Sequence, residues 1–487
     1  MKRNFILVVL LIIITLLFAL SCRKDIGKID LSDKGYPQEI GEIIVKKCAT
    51  SGCHDDISKE AAGGLSLTSW EKMFEGSRGG AVVIPFRPDY STLIYYTNSY
   101  SEFGTLQLSP KMPLRSEALT HEEVKTLHDW ILDGASNADG FVKFSDNPNR
   151  KKFYVSNQGC DLITTFDAAT MLAMRATNVG KINGYVESPH FVKISPDNKF
   201  WYVSFLGAGV FQKYKVSDNS FVAEANIGAG SWNTFILSSD GKFAYLVDWS
   251  SSGKVKKVQT DSMIVKAAIG GLNWSHGSAI NQTNDTLYIT SQMSNYIFKI
   301  ATDFSDLQQI VLDNSGIPLN SSILDPHEVL MSPDFSKYFV TCQKSNEIKV
   351  VNRATSQVIS TIPVGDTPQE MAIASSKNYL FVSCMEDITT FGATKRGSVY
   401  VIDINSHVVL AKIYTGHQPH GLMVDDQHGR VYVTNRNVIS GGPAPHHASL
   451  CNGKNGYVTA IDLKTLKLVP GFKAEVSVDP YGYSITH

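Results

Sequence analysis

Residues 195–205 read SPDNKFWYVSF, a polar turn followed by an apolar strand, and this unit recurs along the chain. Close versions are SSDGKFAYLVD at 238–248, SPDFSKYFVTC at 332–342 and DQHGRVYVTN at 426–435. Recognisable repeats start near residues 188, 231, 274, 325, 367, 418 and 479, so the period is 42 to 61 residues. Four short strands can be placed in each repeat. Repeats of this length and content predict the blades of a β-propeller.

The number of repeats predicts how the propeller closes. Six repeats are complete from Ser188 to Val478, and the first unit, Lys152 to Lys181, lacks an opening strand. Residues 480–487 match an opening strand and nothing more. We therefore predict that the C-terminus supplies the inner strand of blade one, so that residues 150–487 form a seven-bladed propeller without free edges. The strings YVSN, YVSF, FVTC, FVSC and YVTN resemble the YVTN family of propellers.

The N-terminal 22 residues predict export from the cytoplasm. Lys2 and Arg3 precede an uncharged apolar run of 16 residues, Phe5 to Leu20, which is signal-peptide length. The following Ser21-Cys22 resembles the lipobox of bacterial lipoproteins, a family in which this cysteine is acylated. Ala19 stands where that family more often has Leu, so a plainly cleaved signal and an uncleaved anchor stay open. The expected location is the cell envelope, on the periplasmic or outer-membrane surface, with a lipid anchor at Cys22.

Residues 46–56, KKCATSGCHDD, point to a covalent haem. Two thiols, Cys48 and Cys53, can reach the two vinyl groups, and the adjacent His54 can ligate the iron. The usual spacing is Cys-x-x-Cys-His, and here two more residues separate the cysteines. The alternatives are a Cys48–Cys53 disulfide, which an oxidising compartment permits, and a zinc site, for which a second cysteine pair is missing.

The sequence downstream favours the haem. Residues 109–114, SPKMPL, look like the loop that gives c-type cytochromes a methionine ligand, here Met112. Thr120 and Glu123 then have capping-box spacing at the start of a helix. The three motifs resemble small cytochrome domains of Bacteroidetes lipoproteins. The resemblance implies an all-α c-type cytochrome domain at 36–137 with one haem c; His121 and His128 are the alternatives to Met112.

Histidines cluster on one face of the predicted propeller. When the repeats are aligned, the start of the inner strand holds His190, Asn233, His276, His327, Gln369, His420 and Tyr481. An insertion in blade seven adds His446 and His447 to the same face. Imidazole suits copper, iron and zinc, so these histidines are candidate ligands of a second metal such as copper, or of a second haem. Hydrogen-bonded channel histidines without a metal are the alternative.

Two known enzyme families resemble this arrangement in outline. Haem-d nitrite reductases join a c-type domain to an eight-bladed propeller, and nitrous oxide reductases hold a copper–sulfide cluster with histidines of a seven-bladed propeller. The chain differs from the first in blade number and lacks the cupredoxin domain of the second. Neither activity is carried over.

Four more cysteines fall in the propeller. Cys342 and Cys384 hold matching positions on neighbouring blades, and Cys160 and Cys451 lie on blades one and seven, which adjoin after closure. We predict a disulfide for each pair.

The functional prediction is an electron-transfer protein of the envelope, with a redox partner protein and a membrane anchor. Lys and Arg total 45 against 46 for Asp and Glu, so nothing suggests a nucleic-acid partner. The alternatives are an oxidoreductase acting at the histidine-rich face and a ligand-binding or sensor module. The sequence leaves the substrate, and whether the protein is an enzyme, undecided.

Overall fold

The computed structural model describes residues 31, 33–181, 184–439, 451 and 453–487. A helical segment comes first and a propeller follows. The helices are α1 (Gln38–Lys47), α2 (Trp70–Met73), α3 (Thr92–Thr97) and α4 (His121–Leu132), with 3₁₀ turns at Pro88–Tyr90 and Ser101–Phe103. Within the described part of the chain, no helix has both the length and the apolar character needed to cross a membrane.

Helix α4 shows why the helical segment folds as it does. Thr120 and Glu123 form the capping box that the sequence predicts, each side chain bonding the other's backbone N–H. Val124, Leu127 and Ile131, spaced for one helical face, are fully buried. They pack in one apolar cluster with Ile40 and Ile44 of α1.

The propeller follows as seven antiparallel sheets. In blades one to four the strands are β1 (Lys152–Asn157), β2 (Leu162–Asp167), β3 (Ala173–Asn178), β4 (Pro189–Ile194), β5 (Phe200–Phe205), β6 (Val210–Lys215), β7 (Phe221–Asn226), β8 (Trp232–Leu237), β9 (Phe243–Asp248), β10 (Gly253–Gln259), β11 (Ile264–Leu272), β12 (Ser275–Ile280), β13 (Thr286–Ser291), β14 (Tyr296–Ala301) and β15 (Leu307–Val311).

In blades five to seven and at the C-terminus they are β16 (Pro326–Met331), β17 (Lys337–Cys342), β18 (Glu347–Asn352), β19 (Val358–Pro363), β20 (Pro368–Ala374), β21 (Tyr379–Cys384), β22 (Ser398–Asp403), β23 (Val409–Ile413), β24 (Pro419–Asp425), β25 (Arg430–Asn435), β26 (Asn455–Asp462), β27 (Lys467–Leu468), β28 (Ala474–Val478) and β29 (Pro480–Ile485).

The C-terminal strand closes the ring, as the repeat count predicts. The sheet of blade one has the order β29-β1-β2-β3, with Phe153 opposite Ile485 and Val155 opposite Tyr483. The inner strands β29, β4, β8, β12, β16, β20 and β24 contact one another in that circular order. The prediction of a seven-bladed propeller is therefore confirmed.

Strands such as β5 are apolar along their whole length, because both faces of each blade are buried. In β5, Trp201 and Val203 face blade one, whereas Tyr202 faces blade three. This is the two-residue alternation of a strand. Each gap between neighbouring blades among the described residues is filled by its own cluster of buried apolar side chains.

The helical segment packs against blades one and seven. Leu172 and Met174 of blade one belong to the apolar cluster of the helices, and Ile84 of the helical segment belongs to the cluster between blades one and seven. The backbone N–H of Glu475 on β28 donates to Gly79 at 2.8 Å. The two parts of the chain therefore share their cores.

Candidate functional site

The helical segment brings the two haem-type thiols and His54 to the end of α1. Cys48 is the C-cap of this helix, and its N–H donates to Ile44. The chain then turns back, so that the N–H of His54 donates to the carbonyl oxygen of Cys48 at 3.1 Å. Both Cys48 and Cys53 are free thiols, so the alternative disulfide between them is not formed. Burial raises the pKa of the Cys48 thiol to about 12.

Asp55 holds the turn between the thiols and the rest of the segment. Its carboxylate accepts hydrogen bonds from the backbone N–H groups of Gly52, Ile57 and Ser58 at 2.7 to 2.9 Å. These bonds lower the pKa of Asp55, that from Ser58 most. An ionised side chain thus fixes the turn.

His54 is oriented by one hydrogen bond. Its Nδ1 lies 3.3 Å from the carbonyl oxygen of Leu65, and because a carbonyl can only accept, Nδ1 is the donor. Burial lowers the pKa of His54, and the bond to Leu65 opposes the shift. The neutral ring therefore keeps its lone pair on Nε2. A histidine that ligates a metal is typically held in this way.

Met112 lies in a loop pinned to α3. The N–H of Leu108 donates to Tyr95, and the N–H of Met112 donates to Tyr96, each at 2.9 Å. Leu93 and Ile94 of the same helix share an apolar cluster with Cys48. The alternative ligands are engaged elsewhere: His121 contacts Glu102 at 2.5 Å and His128 contacts Asp129 at 3.0 Å.

These residues fit a covalent haem. Two free thiols, a histidine with an available Nε2 and a half-buried methionine are the groups that hold a covalent haem, and Cys48 itself lies in an apolar cluster.

Four propeller histidines lie in the central channel, each at the second residue of its inner strand; Asn233, Gln369 and Tyr481 hold this position in the other three blades. Each inner strand has a register irregularity in its pairing at this position. Bulges of this kind re-aim a side chain. We call His190, His276, His327 and His420 the histidine ring. The face of the propeller at which the inner strands begin is the histidine face.

The members of the ring contact one another directly. The ring centroids of His276 and His327 are 4.0 Å apart, and those of His327 and His420 are 6.2 Å apart. Burial lowers the pKa of every one of them, that of His276 to about 4, so the rings are neutral at pH 7. Nε2 of His190, Nδ1 of His327 and both ring nitrogens of His420 are buried without a hydrogen-bond partner.

The described residues do not form a ready metal site. Across the described ranges, no group of three or more His, Cys, Asp and Glu side chains is arranged to hold a metal ion. His446 and His447 lie outside the described residues. The second metal or haem on His190, His276, His327, His420, His446 and His447 therefore stays a prediction.

The structure adds a charged group that the sequence argument missed. Glu328 and Glu370 each follow a channel position, and they interact electrostatically with Lys193 on blade two. Tyr483 of the C-terminal strand donates to Glu370 at 3.0 Å. The blade alignment contains the signal, because Glu328 and Glu370 hold the same position on neighbouring blades.

One predicted disulfide is present and the other is not. Cys160 and Cys451 are joined, with their Cα atoms 5.3 Å apart, and so link blade one to blade seven. The prediction of a Cys342–Cys384 disulfide is wrong: both are free and fully buried. Cys342 packs in the cluster between blades four and five, and Cys384 in the cluster between blades five and six. Matching positions on neighbouring blades thus point into different gaps. Cys22 lies outside the described residues.

Comparison with known proteins shows the fold and no closer identity. No family model matches the chain. Antigen Lp49 of Leptospira interrogans is 22% identical over 293 residues, which cover 58% of this chain and 62% of that relative. The chain thus matches less than two thirds of the relative's length.

Solved structures are similar at still lower identity. A functionally unknown protein from Desulfotomaculum acetoxidans is 13% identical, with a TM-score of 0.53 over 70% of this chain and 99% of that one. Kuenenia stuttgartiensis hydrazine synthase is 16% identical, with a TM-score of 0.48 over 63% and 92% of the two chains. Dihydro-heme d1 dehydrogenase NirN is 12% identical, with a TM-score of 0.48 over 84% and 94%. At these identities the likeness shows the propeller fold alone.

Proposed function

We propose that this chain is an electron-transfer protein of the cell envelope that carries one c-type haem on its helical segment. The observation that carries the proposal is the state of the Cys48-to-His54 turn. Its two thiols are free, and His54 donates through Nδ1 to Leu65, which leaves Nε2 for a metal. A disulfide between Cys48 and Cys53, or hydrogen bonds from both ring nitrogens of His54, would be inconsistent with a haem at this turn.

Four residues would hold the group. Cys48 and Cys53 would hold the haem covalently, and His54 and Met112 would ligate its iron. Such a haem supplies one-electron transfer, at a potential raised by the methionine. The Leu65 carbonyl keeps the His54 ring in one orientation, and the apolar cluster around Cys48 limits the access of water.

The propeller would receive the partner on its histidine face. Seven apolar side chains are exposed on loops of this face, on blades three to seven: Trp249, Met293, Ile317, Leu319, Ile323, Ile388 and Val438. Exposed apolar side chains around a channel mouth are typical of a docking surface. Because the helical segment shares its core with blades one and seven, a docked partner would find the haem at a fixed position.

The anchor is part of the same proposal. The lipobox-like Ala19-Leu20-Ser21-Cys22 would place an acylated Cys22 at the mature N-terminus. Mass spectrometry of protein extracted from membranes would find the acyl chains on Cys22, and Cys22→Ser would release the protein from the membrane fraction. An unmodified N-terminus on wild-type protein would contradict the anchor.

The haem is tested on the full chain, matured in a host with haem-attachment machinery. We expect a covalent mass increase of one haem and a pyridine haemochrome spectrum of c type. Cys48→Ala or Cys53→Ala should shift the haemochrome band to that of a single thioether, and His54→Ala should abolish stable incorporation. Cys384→Ala, which removes a free thiol of the propeller, is the control. Wild-type protein without covalent haem would overturn the proposal.

A second candidate function rests on the histidine ring. Buried ring nitrogens without partners, four of them in one channel, favour an oxidoreductase with a metal or second cofactor on this face. Elemental analysis tests it. Copper or iron beyond the one haem iron, lost in His327→Ala but kept in the surface control His428→Ala, would support an enzyme. One iron and no other metal or chromophore would leave an electron carrier.

A further inference from the structure

The connection between blades four and five contains an exposed apolar loop. It runs from Asn314 to Ile323, between β15 and β16, and reads NSGIPLNSSI, without a charged residue. Its large side chains face solvent: Ile317 is 62% exposed, Leu319 45% and Ile323 77%. We call residues 314–323 the apolar loop. It lies on the histidine face, because it leads into an inner strand.

Two buried residues of blade four hold the apolar loop in one conformation. The Asn295 side chain donates from Nδ2 to the carbonyl of Ile317 at 3.0 Å, and its Oδ1 accepts from the N–H of Leu319 at 2.7 Å. The Tyr296 hydroxyl donates to the Asn320 side chain at 2.7 Å. The loop is therefore held with its isoleucines in solvent. A loop fixed in this way loses little conformational entropy when its apolar side chains are covered.

A pair of tryptophans adjoins the apolar loop. The rings of Trp249 and Trp274 are 5.1 Å apart, and the Trp249 indole donates to Gln292 at 2.6 Å. The next residue, Met293, is exposed, and its carbonyl accepts from the N–H of Ser322 in the loop at 2.6 Å. Blades three and four thus present one continuous patch of Trp, Met, Ile and Leu side chains. An exposed apolar patch of this kind indicates an interaction surface.

The exposed charges of the histidine face are all positive. Its loops are those that enter the inner strands and those that join the second strand of a blade to the third. Among their described residues, every carboxylate is buried or half-buried, and the exposed charged side chains are Lys181, Lys344 and Lys395. The loops of the opposite face carry exposed aspartates: Asp197, Asp218, Asp240, Asp261, Asp285, Asp303, Asp306, Asp334 and Asp426. The histidine face can therefore approach an anionic surface without bringing an exposed carboxylate against it.

The predicted anchor would keep this face close to a membrane. Leu31 is the ninth residue after Cys22, and nine residues reach at most about 30 Å. Leu31 is fixed to the helical segment, because it is 4% exposed and its Cδ1 lies 3.0 Å from where a Cβ of Gly41 would stand. The helical segment in turn shares its core with the propeller. An acylated Cys22 would therefore hold the whole folded chain near the bilayer surface.

We propose that the histidine face lies on the bilayer that holds Cys22, with the apolar loop and Trp249 inserted among the lipid headgroups. This inference rests on the anchor of the proposed function. A bilayer fits the face better than an acidic protein does, because the ten residues of the apolar loop offer no charge for a partner to pair with. Tryptophan is also typical of the membrane–water interface. The redox partner received on this face would then be a protein of the same membrane.

Vesicles of phosphatidylethanolamine and phosphatidylglycerol with brominated acyl chains test this on the mature full chain, because bromine quenches tryptophan only at short range. The emission reports on the histidine face. Trp249 and Trp274 lie on that face, and the other four of the six tryptophans are buried: Trp70, Trp130, Trp201 and Trp232. We expect the emission of vesicle-bound protein to be quenched. Trp249→Phe should remove about half of the quenching or more, because the exposed indole is the one that reaches the interface.

Variants of the patch test which side chains enter the bilayer. Ile317→Ser combined with Ile323→Ser should lower the quenching severalfold, because less apolar area is inserted. The matched control combines Ile264→Ser with Ile359→Ser, two isoleucines on outer strands that are each 53% exposed, and should leave the quenching unchanged. Lys395→Glu should also lower it, because the variant places an exposed carboxylate on the face.

Sedimentation of the same vesicles separates this inference from the anchor. Protein that sediments with the vesicles but keeps its full emission is held by the anchor alone, which would overturn the inference and leave the face to a protein partner. Protein that does not sediment would overturn the anchor and the inference together. Equal loss of quenching in the loop variant and the outer-strand control would also overturn the inference.

Discussion

The ring of His420 on blade seven lies against the ring of Tyr481 on the C-terminal strand, with centroids 3.5 Å apart. Tyr481 also contacts His190 on blade two, at 4.0 Å, and the Arg436 guanidinium lies 4.9 Å from its ring centre. One aromatic side chain therefore joins the first, second and seventh blades at the mouth of the channel. The closure of the propeller and the histidine ring depend on the same residue.

Tyr481→Ala should lower the free energy of unfolding by about 3 kcal/mol, because a buried aromatic ring and its stacking contacts are lost. Tyr481→Phe keeps the ring and should retain most of the stability. Denaturant unfolding measures both. Tyr185→Ala, at an exposed position, should change stability by less than about 0.5 kcal/mol. If Tyr481→Ala and Tyr185→Ala change the free energy of unfolding equally, the aromatic contacts of Tyr481 do not stabilise the closed propeller.

The Cys160–Cys451 disulfide should stabilise the closed propeller. Replacing both cysteines with serine should lower the free energy of unfolding by about 2–4 kcal/mol, because the open chain regains freedom over a separation of 291 residues. Reductant should lower the melting temperature of wild type toward that of the variant and leave the variant unchanged. A wild type insensitive to reductant, with free thiols at these positions by mass spectrometry, would contradict the bond.

Glu370 should make stability depend on pH. Burial raises its pKa from 4.5 to about 7, opposed by Lys193 and the Tyr483 hydrogen bond, while Glu328 also faces it. Between these two pH values the folded chain holds a proton that the unfolded chain has lost. The free energy of unfolding should therefore fall as pH rises from about 4.5 to about 7, by about 3 kcal/mol.

Glu370→Gln should remove that part of the slope, because the amide carries no charge at either pH. Denaturant unfolding at pH 5 and pH 8 compares the variant with wild type, and Glu347→Gln is the control. A slope unchanged in Glu370→Gln would show that this carboxyl group does not titrate in the channel.

Met112 can be tested once haem is attached. Met112→Ala should lower the reduction potential and let added imidazole bind the iron, because a methionine ligand would raise the potential and compete with imidazole. Spectroelectrochemistry and imidazole titration measure these effects, with the exposed Met293→Ala as control. An unchanged potential would assign the ligand to another residue, with His128→Ala as the next variant to measure.

The sequence predicted those features of the fold that recur in every blade. Blade number, C-terminal closure and the position of the histidine ring all follow from the register of the strand pattern, which fixes which residue of each blade faces the axis. The sequence also predicted the capping box of α4, because this motif depends on two residues that are three positions apart.

Contacts across the axis of the propeller could not be predicted from the sequence in the same way. Lys193 and Glu370 interact electrostatically across the axis only because the propeller has a particular diameter, which no local pattern encodes. Cys342 and Cys384 illustrate the converse. The two cysteines hold the same position in their blades, yet they lie in different gaps between blades, so the alignment wrongly predicted that they are close in space.

The shared core of the helices and blades one and seven bears on the order of assembly. Synthesis runs from the N-terminus, so β28 and β29 are the last strands to appear. Until then blade one lacks its inner strand, and Ile84 has no Val476 or Val478 to pack against. The packing of the helical segment against blade seven is therefore complete only after β28 has been made.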